Sequence, residues 1–170
     1  MKETLETINR MQADGVIGKY AIGGAVGATF YLEPAATLDV DIFVMLPDVS
    51  ESSIVSLSSI YEYLAKLGCK PEGEHITIGT WPVQFLTPGR ALEREALSEA
   101  VQTDAGGVPT WIMTAEHLVA IALQTGRSKD YARIMNFLEH NAVDQTKLDN
   151  ILARHGLTGK WAQFKKRYLE

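Results

Sequence analysis

Two aspartates separated by one valine, Asp39-Val40-Asp41, are the residues of this chain best placed for chemistry. Side chains alternate between the faces of a strand, so this spacing points both carboxylates the same way with Cα atoms about 6–7 Å apart. That is close enough to share a divalent ion or a pair of ions. Without a cation the two acids repel, and on a half-buried strand the pair is costly. Thr37 falls on the same face and Phe43 and Met45 continue it, whereas Leu38, Val40, Ile42, Val44 and Leu46 line the other. Upstream, Gly23-Gly24 lacks side chains that would keep a ligand from backbone N–H groups, and a helix can begin there, which makes an anion site. A carboxylate pair beside a phosphate-sized turn points to Mg²⁺, or Mn²⁺, with a polyphosphate, because Mg²⁺ commonly takes one or two carboxylates plus substrate oxygens. Taken alone, Asp-Val-Asp also reads as an exposed strand end with two solvated acids.

The elements that position these groups read strand, glycine turn, helix, loop, strand. Tyr20-Ala21-Ile22 forms the short apolar strand. Ala25, Val26, Ala28, Thr29, Phe30 and Leu32 supply the helix, and Glu33-Pro34 closes it, since the residue before proline is pushed out of the α region. A dinucleotide-binding turn is excluded by spacing. Its glycines recur at the first, third and sixth positions, but counted from Gly23 those positions hold Ala25 and Ala28. Its acid closes the second strand, whereas here the acids begin it.

These residues resemble the nucleotidyltransferase superfamily that includes DNA polymerase beta, and within it small bacterial proteins of the AbiEii type. The shared pattern is a Gly-Gly or Gly-Ser pair, a short helix and Asp-hydrophobic-Asp on the next strand, matched by Gly23, Gly24, Thr37, Asp39 and Asp41. The segment 118–139, LVAIALQTGRSKDYARIMNFLE, resembles the family's paired helices joined by Gly-Arg-x-Lys-Asp. The resemblance implies that the glycine pair holds a nucleoside triphosphate, that Asp39 and Asp41 bind Mg²⁺, and that Arg127 or Lys129 neutralises phosphate. For Arg127 and Lys129 the alternative is a salt bridge to Asp130 or Glu116. Three positions depart from the family pattern. Ala35 stands where arginine is common, Gln84 where many members carry a third carboxylate, and Gln124 where lysine is frequent. These losses weaken phosphate neutralisation and deprotonation of an attacking hydroxyl, so they also fit a catalytically degenerate binding or regulatory protein, in a toxin–antitoxin-like or other partner role. Glu74 and His75 are the nearest substitutes for the missing ligand or base.

With 170 residues, 46% hydrophobic and 22% charged, the chain has an ordinary globular composition. It contains neither an apolar run long enough to span a membrane nor a basic and apolar leader, and it reads as a cytoplasmic protein. The single cysteine, Cys69, forbids an internal disulfide and a cysteine-based zinc site. A net charge of −5 disfavours a surface that binds nucleic acid throughout, although residues 144–170 carry +3. Trp161, Phe164 and Tyr168, interleaved with those basic residues, fit RNA contact or an amphipathic helix with a solvated lysine face.

Along the rest of the chain, patterning predicts helices over 2–13, from Ser50 to Leu67, over 91–101, from Thr114 to Leu123, from about Ser128 with Tyr131, Ile134, Met135 and Leu138 inward, and from Asp144 to about Arg154. It predicts strands over 74–80, 82–86 and 108–113. If the 82–86 strand pairs beside the Asp39 strand, Gln84 faces the carboxylates. The expected fold is α+β, nucleotidyltransferase-like, with a small mixed sheet of four or five strands backed by helices. Residues 1–113 would form the core, and residues 114–170 a helical portion packed on it. The expected reaction transfers a nucleoside monophosphate from a Mg²⁺-bound nucleoside triphosphate to a hydroxyl of RNA, protein or a small molecule.

Overall fold

The computed structural model describes residues 1–34, 36, 39–47 and 55–170. Among the described residues, one mixed sheet of seven strands, in the order β3-β4-β5-β2-β1-β7-β6, organises the chain. Its middle strand is β2 (Val40–Val44), antiparallel to β1 (Tyr20–Ile22), which on its other side runs parallel to β7 (Val108–Ile112). On the other side of β2, β5 (Trp81–Leu86) runs parallel with Asp41 opposite Gln84. β4 (His75–Ile78) and the two-residue β3 (Pro71–Glu72) complete that edge, and β6 (Val101–Ala105) completes the other.

The alternation along β2 decides what each face does. Val40, Ile42 and Val44 are fully buried against α1 (Lys2–Ala13) and α3 (Ser58–Lys66), whose inward residues are Leu5, Ile8, Met11, Ile60 and Leu64. Phe43 belongs to the opposite core, shared with α4 (Ala91–Ser98), α5 (Ala115–Thr125), α6 (Ser128–Glu139), α7 (Gln145–Arg154) and α8 (Thr158–Tyr168). One core seals the back of the sheet, and the other leaves room for the aspartates between the sheet and the helices. Met45, expected to continue the Phe43 face, lies beyond the end of β2 and is exposed.

Several elements differ from their sequence patterns for local reasons. The helix after Gly23, α2 (Gly24–Ala28), is one turn long. Thr29 donates both its backbone N–H and its hydroxyl to the Val26 carbonyl, and Phe30 and Tyr31 make the same tight three-residue bonds, so the α-helix stops before Glu33-Pro34. The helix expected from Ser50 begins at Ser58, where the Ser56 hydroxyl accepts the Ser58 N–H; Ser50 itself lies outside the described residues. The helix over 91–101 ends at Ser98, and Val101 starts β6, which pairs with β7 across Gly106-Gly107. With β3, this raises the strand count from the expected four or five to seven. Thr114 and Asp144 cap α5 and α7 through side-chain oxygens, as their positions predict. On α6 the buried stripe is Asp130, Ile134 and Phe137, rotated from the expected one so that Tyr131, Met135 and Leu138 flank it. Trp161 and Phe164 of α8 stack inside the core with parallel rings 5.3 Å apart.

Candidate functional site

Asp41 leaves β2 toward Gly24. The glycine has φ +58°, and a Cβ on it would collide with the Asp41 carboxylate Oδ2, so the close approach of acid and backbone depends on the missing side chain. Gly23 is used differently. Its N–H donates to the Asp41 carbonyl at 2.9 Å, and the space above it is filled by the Phe43 ring and the Met113 sulfur, so it packs the turn and does not line the cavity. Asp39, just before β2, is 41% exposed and lies 3.2 Å from His75 Nε2 across the sheet. Gln84 sits beside Asp41 in register, and its amide donates to Glu74 Oε2 at 3.4 Å. Thr37 and Ala35 lie outside the described residues.

The second wall is built by the elbow between α5 and α6. Gly126 closes α5 in the left-handed conformation, after which Arg127 is the N-cap of α6 and Lys129 sits in its first turn. The buried Asp130 takes the Arg127 backbone N–H at 3.2 Å and grips the Arg127 guanidinium with both oxygens, at 2.7 and 3.2 Å. Arg133 Nη1 lies 3.5 Å from the same carboxylate, so one buried acid holds two guanidinium groups. Burial pushes the Asp130 carboxyl up, but the Arg127 hydrogen bond and the two charges bring it below its ordinary value. The salt bridge to Asp130 therefore exists, and it fixes Arg127 beside the cavity.

Between these walls lies a cavity of about 310 Å³ bordered by Gly24, Asp39, Asp41, Gln84, Arg127, Lys129, Asp130 and Arg133, with Glu93 from α4. Burial and the neighbouring Asp39 charge push the Asp41 carboxyl above its usual range; Arg133, Lys129 and Arg127 pull the other way. A half-buried acid pair of this kind offers the hard oxygen donors that suit a divalent cation. Of the residues singled out in the sequence, Asp39, Asp41, Gly24, Gln84, Arg127 and Lys129 come together here. Arg133 and Glu93 were not anticipated, and Asp130 was expected only as an alternative salt-bridge partner for Arg127 or Lys129. Arg133 follows Lys129 by four residues, the spacing that puts two side chains on one helical face, and this was the available signal.

A second cluster joins α4, α5 and α7 away from this cavity. Glu95 receives Arg154 Nη2 at 2.6 Å and lies 2.7 Å from His155 Nε2 and 3.1 Å from the buried His117 Nε2; Glu99 is 3.9 Å from His117. Glu95, Glu99 and His117 approach closely enough to share an ion. The Arg154 hydrogen bond, with those of His155 and His117, outweighs desolvation and holds the Glu95 carboxyl at about 2. With Arg154 and His155 already on its oxygens, Glu95 serves here as a junction between helices.

No family model matches the chain, and no curated protein matches it significantly. Solved structures share its fold. An antigenic nucleotidyltransferase-like protein from Paracoccidioides brasiliensis superposes with a TM-score of 0.57 at 13% identity, covering 96% of this chain and 90% of the other. The antibiotic-resistance factor ANT(2'')-Ia in solution gives a TM-score of 0.52 at 13% identity, covering 98% and 96%. Its crystal structure in complex with adenylyl-2''-tobramycin gives 0.51 at 14%, covering 96% and 98%. The chain has the nucleotidyltransferase-like fold over nearly its whole length. Among the described residues, no helix is long and apolar enough to cross a membrane.

Proposed function

We propose that the chain is a nucleotidyltransferase, moving a nucleoside monophosphate from a Mg²⁺-bound nucleoside triphosphate to a hydroxyl acceptor. The observation that carries this reading is the opposition of Asp39 and Asp41 to Arg127, Lys129 and Arg133 across one cavity, with Gly24 between them. Residues 1–113 supply the carboxylates and residues 114–170 the cations. The likeness to ANT(2'')-Ia, a protein captured with an adenylylated acceptor, supports the same kind of transfer.

Asp39 and Asp41 offer oxygens on one face and would hold Mg²⁺ or Mn²⁺, which when bound supplies charge neutralisation at the phosphates. Arg127, Lys129 and Arg133 bind phosphate oxygens from the other wall, and Asp130 keeps the two arginines in place. Gly24 lets the phosphates approach the backbone of the turn. The acceptor oxygen attacks the α-phosphorus while the bond from that phosphorus to the oxygen bridging the β-phosphate breaks, and pyrophosphate leaves with that electron pair. The acceptor proton passes to water or to Glu74, which stands beside Gln84.

Gln84 favours a second reading, a binding or regulatory protein without turnover, because it stands beside Asp41 where a third carboxylate would activate the acceptor. Incubating the pure protein with labelled nucleoside triphosphates, Mg²⁺ or Mn²⁺ and total RNA, proteins or small hydroxyl compounds separates the two. A labelled product lost in Asp41→Asn supports transfer. Nucleotide binding without product from any acceptor class supports the second reading, and absence of any metal-dependent nucleotide binding refutes transfer and leaves only a partner role.

A further inference from the structure

Glu95 and Glu99 stand one helical turn apart at the C-terminal end of α4, where Glu99 is the C-cap. Two carboxylates at this spacing repel, and the negative end of the helix dipole disfavours both. Arg154 Nη2 answers Glu95 at 2.6 Å. Among the described residues the Glu99 carboxylate accepts no hydrogen bond, and its one ion-pair contact is His117, at 3.9 Å. That histidine lies in the first turn of α5 with a side chain only 1% exposed. Its Nε2 faces Glu95 Oε1 at 3.1 Å, and its Nδ1 lies 2.7 Å from the Thr114 hydroxyl. The other Glu95 oxygen lies 2.7 Å from His155 Nε2.

We propose that Glu95, Glu99 and His117 form a Zn²⁺ site that ties the end of α4 to the start of α5, separate from the cavity of Asp39 and Asp41. A tetrahedral Zn²⁺ holds nitrogen and oxygen ligands at about 2.1 Å, which sets them about 3.4 Å from one another. The three donor atoms already lie within 4.8 Å of one another, and the imidazole is 3.1 and 3.9 Å from the two carboxylates, so small side-chain movements close them on an ion. The donor set selects the metal. An imidazole with two carboxylates suits Zn²⁺, whereas Mg²⁺ is met by the all-oxygen pair of the other cavity. Outer partners are in place as well. A hydroxyl gives or takes a hydrogen bond, so Thr114 accepts Nδ1–H when Nε2 turns its lone pair to the ion, and His155 orients the Glu95 carboxylate from behind. Arg154 is the competitor for Glu95 Oε1. Its side chain is 49% exposed, so it can turn into solvent when a divalent ion replaces its charge. Between α4 and α5 the chain makes the β6–β7 hairpin, and the ion would close that excursion at its base.

The test titrates Zn²⁺ into the full chain carrying Asp39→Asn and Asp41→Asn, by calorimetry and without nucleotide, and follows Co²⁺ in the same protein by visible absorption. Removing the two aspartates silences the other cavity, so the outcome does not depend on the nucleotidyltransferase reading. One equivalent of Zn²⁺ is expected to bind, and Co²⁺ is expected to show the intense visible bands of a four-coordinate site. Glu99→Gln, added to this background at an exposed position, is expected to weaken Zn²⁺ binding about tenfold or more. Arg154→Met in the same background keeps an apolar stem and removes the competing charge. It is expected to tighten Zn²⁺ binding several-fold while lowering the metal-free melting temperature, a combination that a purely structural role for the cluster does not produce. Absence of binding in the background protein, binding that Glu99→Gln leaves unchanged, or binding that Arg154→Met weakens overturns the site and leaves Glu95 as a helix junction alone.

Discussion

Gly24 offers the sharpest test of how the turn and the carboxylate are fitted together. Gly24→Ala imposes two costs that can be separated. The first is the left-handed backbone, φ +58°, which costs an L-residue about 1–2 kcal/mol. The second is the new Cβ, which meets Asp41 Oδ2 and forces that side chain off its rotamer, adding about 1 kcal/mol. Gly73 carries the first cost alone, because its φ is +62° and a Cβ there meets nothing within 4 Å. Gly24→Ala should therefore destabilise by about 2–3 kcal/mol and Gly73→Ala by about 1–2 kcal/mol. At about 2–4 °C per kcal/mol for a chain of this size, melting temperatures resolve the difference. Repeating Gly24→Ala in an Asp41→Ala background removes the collision, and its cost should fall to that of Gly73→Ala. An unchanged cost in that background, or equal costs for Gly24→Ala and Gly73→Ala in the wild type, would refute the claim that Asp41 lies against Gly24.

Mg²⁺ with a nucleoside triphosphate at about 100 times its dissociation constant should stabilise the chain by about 2.7 kcal/mol, more than either component alone. The Asp39→Asn, Asp41→Asn variant should lose this thermal shift while melting no lower without ligand, because Asp39 repulsion is removed from a half-buried Asp41; a lower ligand-free melting temperature would show that the pair is a structural partner of the arginines. Gln84→Glu should strengthen Mn²⁺ binding in calorimetry and lower ligand-free stability, since it brings a third negative charge beside Asp41; unchanged affinity would remove Gln84 from the site. The Glu95 carboxyl is depressed to about 2, so its contribution to stability is complete above the ordinary value of 4.5 and lost as pH falls toward 2. Glu95→Gln should flatten the melting curve against pH over that window; an unaltered acid limb would mean that the helix junction does not depend on this charge.

Local rules made much of the front wall legible. Period-two spacing placed Asp39 and Asp41 on the face of Gln84, and the Gly23-Gly24 pair located the turn, because both signals are carried by neighbours in sequence. The rear wall was partly legible: Gly126, Arg127 and Lys129 stood out as a helix junction. Asp130 stood out only as an alternative salt-bridge partner; its burial and its hold on Arg133 did not, because hydrophobic periodicity is blind to a buried acid. His75 was noted only as a nearby substitute, yet the pairing of β4 with β5 brings it to Asp39, a contact between residues 36 positions apart. Val101 to Ala105 lacks a strong strand pattern and becomes a strand through pairing with β7.

The cavity's charges are segregated by wall and nearly cancel in sum. Asp39, Asp41 and Glu93 stand against Arg127, Lys129 and Arg133, with Asp130 held between the arginines on their own wall, within a chain whose own net charge is −5. At a distance such an arrangement acts as a dipole, whose field fades faster than that of a site lined by one sign of charge. Long-range attraction therefore contributes little to capture of an anionic ligand, and discrimination is deferred to contact. The association rate of a metal–nucleotide complex should then vary only weakly with ionic strength, in contrast to the steep salt dependence of electrostatically steered sites. Stopped-flow measurement over a range of salt would read this directly, and a rate falling steeply with salt would show that the cationic wall dominates the approach.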